Sequence, residues 1–130
     1  MNDNEFKDSL NSQEESNGSI TFSTEVIADI VRISIQDVKG LVMNQNVLNS
    51  ITGFLGKKNT NKGIKVELGR EETAITLNIG VEFGINVPDL CQTLQQNITR
   101  SVEKMTGLRV VNIDVNVLNV FVKDELNGND

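Results

Sequence analysis

The densest positive charge in the chain is Lys57-Lys58 with Lys62 and Lys65, and it follows Gly53-Phe54-Leu55-Gly56. A G-x-x-G beside lysines has the spacing with which RNA-binding KH domains clamp a nucleotide backbone, so RNA binding is one chemistry this segment admits. Phe54 and Leu55 are apolar where such loops carry polar or basic residues, and a solvated loop is the plainer reading. Gly56-Lys57-Lys58 lacks the upstream glycine in phase and the Ser or Thr of a P-loop, which sets nucleotide hydrolysis aside. Glu71 and Glu72 are adjacent carboxylates in a turn, where they point apart into water rather than facing each other as an acid–base pair must. Cys91 falls near the start of a helix, where the dipole favours a thiolate, yet its place on an apolar stripe reads as a small buried residue.

The chain has no His, Trp or Tyr. Mechanisms that need an imidazole are therefore excluded, including Ser-His-Asp and Cys-His nucleophilic sites and most catalytic zinc sites. No catalytic, cofactor-binding or metal-ligating set emerges, and the residues argue for binding rather than catalysis. A single cysteine permits no intramolecular disulfide and fits a reducing cytosol. The N-terminus has neither a basic start nor an apolar run, and no stretch approaches the ~18 consecutive apolar residues of a membrane span, so a cytoplasmic protein is expected.

At 130 residues the chain is expected to form one domain. The net charge of −6 is unevenly spread. Residues 1–17 set five acids against Lys7, and residues 123–130 set three against Lys123, which leaves ten acids and ten bases in 18–122. A neutral domain between two acidic, disordered tails is the expected organisation, and it lacks the basic footprint of a nucleic-acid binder.

The elements follow from periodicity. Gly18 to Phe22 alternates as a short edge strand; Ser23 caps a helix over 24–39, with Phe22 and Ile27 as a hydrophobic staple and Gly40 as its stop. Leu41-Val42-Met43 starts a strand, and residues 44–61 read equally as a short amphipathic helix or a loop. Ile64–Leu68, a turn, and Thr73–Phe83 form a hairpin with Ile75, Leu77, Ile79, Val81 and Phe83 on its buried side. Pro88 opens a second helix with an apolar stripe from Leu90 to Met105, closed by Gly107. In the last strand, Leu108–Val122, Val111, Ile113, Val115 and Val117 share one face before Leu118, Val120 and Val122 take the other, which signals a bulge or a strand end buried on both faces by another subunit. The predicted class is α+β, a small mixed sheet with two helices packed on it in the order β-α-β-β-β-α-β. On this frame the candidate partner contacts are Asp29, Arg32 and Gln36 on the polar side of the first helix, and Lys57, Lys58 and Lys62 in the loop.

Four stretches of this sequence resemble the bacterial alkaline shock protein family, also described as envelope stress response proteins. They are Gly18-Ser19-Ile20 with Ser23-Thr24-Glu25-Val26-Ile27-Ala28 and Val38-Lys39-Gly40-Leu41; Lys62-Gly63-Ile64-Lys65-Val66; Val81-Glu82-Phe83-Gly84-Ile85-Asn86-Val87-Pro88; and Val102-Glu103-Lys104-Met105-Thr106-Gly107-Leu108 with Val115-Asn116-Val117. The shared positions are caps, turns and core faces, with Val26 and Met105 among the core. In the first helix Val31, Ser34 and Ile35 stand where the family has small alanines. The resemblance implies a non-enzymatic cytosolic protein of low-GC Gram-positive bacteria that needs no cofactor. It also implies a homo-oligomer, recruited in some members to the membrane by a small anchoring protein, and a role in cell-envelope homeostasis. The alternative it implies is a regulator of fatty-acid synthesis that binds acetyl-CoA carboxylase; RNA binding through the loop is third.

Overall fold

The computed structural model describes residues 18–43 and 61–123. The readings of residues 1–17, 44–60 and 124–130 lie outside them. The elements are α1 (Thr24–Ile35), β1 (Leu41–Val42), β2 (Ile64–Leu68), β3 (Glu72–Glu82), α2 (Val87–Thr106) and β4 (Arg109–Phe121). The class is α+β as the periodicity predicts, with one difference at the start: Gly18 to Ser23 is not a strand. Its alternation is too short to find an edge, and only Phe22 packs against the core.

β3 is the centre of a mixed, four-stranded sheet. β2 pairs antiparallel with its first half and β1 antiparallel with Gly80 and Val81, so both lie end to end along one edge. β4 pairs parallel along the whole of β3 on the other edge, a register that a strand–helix–strand crossover through α2 permits. α1 packs on β2 and on α2, and α2 on β4, so both helices cover one face.

The local reasons are those of the sequence. Ser23 Oγ accepts from Val26 N at 3.1 Å, which satisfies an orphan amide at the start of α1. Asn86 does the same for α2 by accepting from Asp89 N at 3.0 Å, one residue before the helix and two before Pro88. Gly107 ends α2 at φ 77°, a left-handed conformation that only glycine adopts without strain, and its amide returns to Glu103 O at 2.9 Å. α1 stops at Ile35 rather than continuing to 39, because Val38 N turns back to Ile35 O at 3.1 Å and brings Val38 against the core.

The core is the shared face of three elements. Ile27, Val31 and Ile35 from α1, Leu94, Ile98 and Val102 from α2, and Ile75, Leu77, Ile79 and Val81 from β3 are all essentially inaccessible to water. Three expected core residues are not in it. Val26 is 41% exposed and Met105 66%, because the buried stripes are narrower than the apolar ones: α2 buries Leu90, Leu94, Ile98 and Val102 at steps of four, and Leu108 occupies the place beyond Val102. Phe83 is 75% exposed because β3 ends at Glu82 and the chain turns away.

β4 departs most from simple alternation. Thr73 pairs with Val110 but Ala74 with Asn112, and Ile79 pairs with Val117 but Gly80 with Asn119. Val111 and Leu118 are therefore each an extra residue, and the strand carries two bulges where the pattern signals one. Val110, not Val111, packs against the core with Ile113 and Val115. The second bulge restores the phase rather than reversing it: Val120 stands beside the buried Val81, on the helix-covered face instead of the opposite one.

Candidate interaction surface

The residues singled out by sequence fall into separate settings. Asp29 and Arg32 lie one turn apart on α1, and both are engaged by Asn61, the first described residue before β2. Asn61 Nδ2 donates to Asp29 Oδ1 at 2.8 Å, Arg32 Nε donates to Asn61 Oδ1 at 2.9 Å, and Arg32 Nη2 closes the triangle on Asp29 at 3.3 Å. The Asn61 amide, with help from Arg32 and against the effect of partial burial, holds the Asp29 carboxyl below its ordinary range. This triangle pins the chain entering β2 to the first helix. Gln36 is exposed at the end of α1, and Lys62 is exposed next to Asn61. Lys57 and Lys58 lie outside the described residues. Sequence reasoning missed Asn61, since an isolated asparagine in a polar stretch carries no periodic signal.

The residues read as chemically inert are placed accordingly. Glu72 is bridged to Arg109 at 3.0 Å with both side chains largely in water, and Glu71 only accepts the Arg109 amide through its backbone. Partial burial pushes the Cys91 thiol up from its ordinary range. Among the described residues no group of three or more His, Cys, Asp or Glu could hold a metal ion. A crevice of about 1100 Å³ opens between residues 19–22, the β2–β3 turn and the end of α2. Leu68 and Leu108 line it with Arg70, Arg109, Glu71 and Glu72, so its charges cancel.

The feature that stands out among the described residues is the open outer edge of β4 and the sheet face away from the helices. The face away from the helices is polar, with Asn116 Nδ2 donating to Asn78 Oδ1 at 2.9 Å across β3 and β4. Phe121 is an apolar residue on that face, and its ring lies over Gly80, where a Cβ would come within 2.6 Å of it. Along β4, α2 side chains hydrogen-bond the backbone of the first half only: Gln95 Nε2 donates to Ile113 O at 3.1 Å, and Val110 N donates to Glu103 Oε2 at 2.9 Å. Beyond Ile113 no α2 side chain bonds β4 among the described residues. That same second half exposes apolar side chains: Val117 is 39%, Val120 58% and Leu118 63% exposed, with Phe83 at the adjoining rim. Phe83 N donates to Phe121 O at 2.7 Å, which fixes that rim to the end of the strand. Among the described residues only β3 pairs with β4, and an outer edge carrying large apolar residues is a place for strand addition or docking.

Among the described residues no helix is long and apolar enough to cross a membrane. Residues 12–122 match the model of the alkaline shock protein 23 family, described as having a cell envelope-related function. The chain is similar to the uncharacterized protein YqhY of Bacillus subtilis, 29% identical over 104 residues that cover 79% of this chain and 77% of that one. It is also similar to a stress response regulator gls24 homolog of Streptococcus pyogenes serotype M1, 26% identical over 110 residues, with 83% of this chain and 62% of that protein covered. The chain thus spans under two thirds of the streptococcal relative. A third relative, the uncharacterized protein YloU of Bacillus subtilis, is 25% identical over 108 residues, 81% of this chain and 90% of that one. No solved structure matches. With a family match that runs from before α1 to the end of β4, the chain belongs to the alkaline shock protein family, whose function is related to the cell envelope.

Proposed function

We propose that the protein is a non-enzymatic cytoplasmic adaptor of the envelope stress response, one that assembles with itself and is held at the inner face of the membrane by a partner protein. The observation that carries the reading is the family match over residues 12–122, joined by the relative named as a stress response regulator. The geometry supports it in kind. The side chains that could do chemistry are dispersed, whereas the second half of β4 offers an apolar strand edge of the sort that binds other chains. Such a protein acts by being recruited, and its output is the set of proteins it gathers.

The test is to crosslink living cells carrying a tagged copy, separate membrane from cytosol, and identify what is recovered with the protein in each fraction. Recovery in the membrane fraction with a small membrane protein is the expected result. Recovery in the cytosol with acetyl-CoA carboxylase subunits would replace the reading with that of a metabolic regulator. Recovery of neither would overturn it.

A further inference from the structure

We infer that β1 and β2 are two parts of one edge strand, and that residues 44–62 are an insertion into it which the fold tolerates but does not require. Both parts pair antiparallel with β3, so they run in the same direction along the same edge. Leu41 and Val42 stand opposite Val81 and Gly80, and Ile64 stands opposite Leu77. One residue further on, the first part sets Met43 opposite Ile79. One residue further back, the second sets Gly63 opposite Asn78, and Gly63 O accepts from Asn78 N at 2.8 Å. Ile79 and Asn78 are consecutive, so Gly63 occupies the place on β3 that the residue after Met43 takes in an unbroken strand.

The faces and the hydrogen bonds agree across the break. Met43 packs against the core, as a residue opposite the buried Ile79 must, and Ile64, Val66 and Leu68 pack there too, so the alternation of faces passes through unshifted. Glu82 N donates to Gly40 O at 2.9 Å on one side of the break, and Asn78 N to Gly63 O on the other. Bonded positions in an antiparallel ladder recur every second residue, and these two donors, four apart on β3, keep that phase. The ends also meet in space: a Cβ on Gly63 would lie 3.8 Å from Met43 Cε. Gly63 marks the re-entry, at φ 92° and with so little room that a Cβ would stand 2.8 Å from Asn78 O. Two separate strands that share an edge have no reason to match in register, in face and in hydrogen-bond phase; one strand opened by an insertion matches in all three. The rest of the domain is therefore built whether or not residues 44–62 are present, and what they contribute to the protein lies outside folding.

The experiment joins Met43 directly to Gly63 in the otherwise full chain and follows thermal unfolding by circular dichroism, beside two joints that are one residue out of register. Deleting residues 44–62 is expected to leave a cooperative transition, lowered by no more than about 10 °C because the deletion also removes Asn61 and its bonds with Asp29 and Arg32. Deleting 44–63 instead turns Ile64, Val66 and Leu68 to the opposite face, and deleting 44–61 leaves Lys62 as an extra residue that must bulge out of the strand. Both are expected to melt at least about 5 °C below the in-register joint. A fourth chain, with three glycines in place of residues 44–60, keeps Asn61 and its bonds. It is expected to melt within about 4 °C of the natural chain, since a shorter loop costs less closure entropy. Failure of the three-glycine chain to fold would show that the fold needs the segment, and overturns the inference. An in-register joint that melts no higher than the other two overturns it as well, because the two parts would then not be one strand.

Discussion

Replacing Asn61 by alanine removes two hydrogen bonds at once, the 2.8 Å bond to Asp29 and the 2.9 Å bond from Arg32, and leaves the 3.3 Å contact between those two side chains. A hydrogen bond to a charged group contributes about 1.5–3 kcal/mol when buried. Here the side chains of Arg32 and Asp29 keep 33% and 49% of their exposure, so water replaces much of what is lost. The expected net cost is about 1–2 kcal/mol, which for a domain of this size lowers the melting temperature by about 4–10 °C. The loss has a pH signature. Asp29 has a folded pKa below its unfolded value, so the stabilisation is complete above the ordinary aspartate range, about pH 4, and disappears as pH falls through the lower folded value. Thermal unfolding followed by circular dichroism should therefore show wild type and Asn61→Ala well separated at pH 7 and converging in acid. Asp29→Ala should lower stability similarly, and the double variant should be less destabilised than the sum. A change under 1 °C at pH 7, or strict additivity of the two substitutions, would refute the triangle as an energetic unit.

Three further outcomes are expected. Leu94→Ala empties a site with 0% exposure where α2 meets the core, and should cost about 3 kcal/mol in chemical denaturation; a loss below about 1 kcal/mol would place Leu94 outside a close-packed core. Gly80→Val drives a side chain into the Phe121 ring, and should cost about 1–3 kcal/mol, whereas the same change paired with Phe121→Ala should cost less; equal costs would show that the ring does not set the requirement for glycine. Cys91 should react with iodoacetamide at pH 7.5 more slowly than free cysteine, because burial raises its pKa and leaves little thiolate; faster reaction would show that the dipole of α2 prevails.

The helices, the hairpin and the strand after α2 were legible because each has a period, a cap or a stop that acts locally. Ser23, Gly107 and the alternation from Ile75 to Val81 specify their backbone without help from distant residues. What could not be read is what depends on the neighbour. Val26 and Met105 extend apolar stripes beyond the width that the sheet covers, and no local pattern reveals where coverage ends. The phase break at Leu118 was visible, yet its sense was not: pairing with β3 decides that Val120 returns to the helix-covered face. The parallel placement of β4 likewise arises from the crossover, which periodicity does not encode. Asp29 and Arg32 were found as polar helix positions, but their shared partner Asn61 is about thirty residues away, and proximity of that kind is a property of the fold. The second half of β4 was hinted at by its apolar run; its exposure is the structure's contribution.

The most direct test of the account is made in living cells, by crosslinking a tagged copy of the natural chain beside a folded Val120→Lys variant and fractionating both. Val120 lies at the exposed edge of β4, so a lysine there is tolerated by the fold and opposes an apolar contact. The account predicts that the natural chain is recovered in crosslinked assemblies of itself, associated with the membrane fraction through a partner protein, and that the variant loses the self-assembly. Recovery of the natural chain as a lone cytosolic monomer, or of variant assemblies indistinguishable from it, would contradict the account.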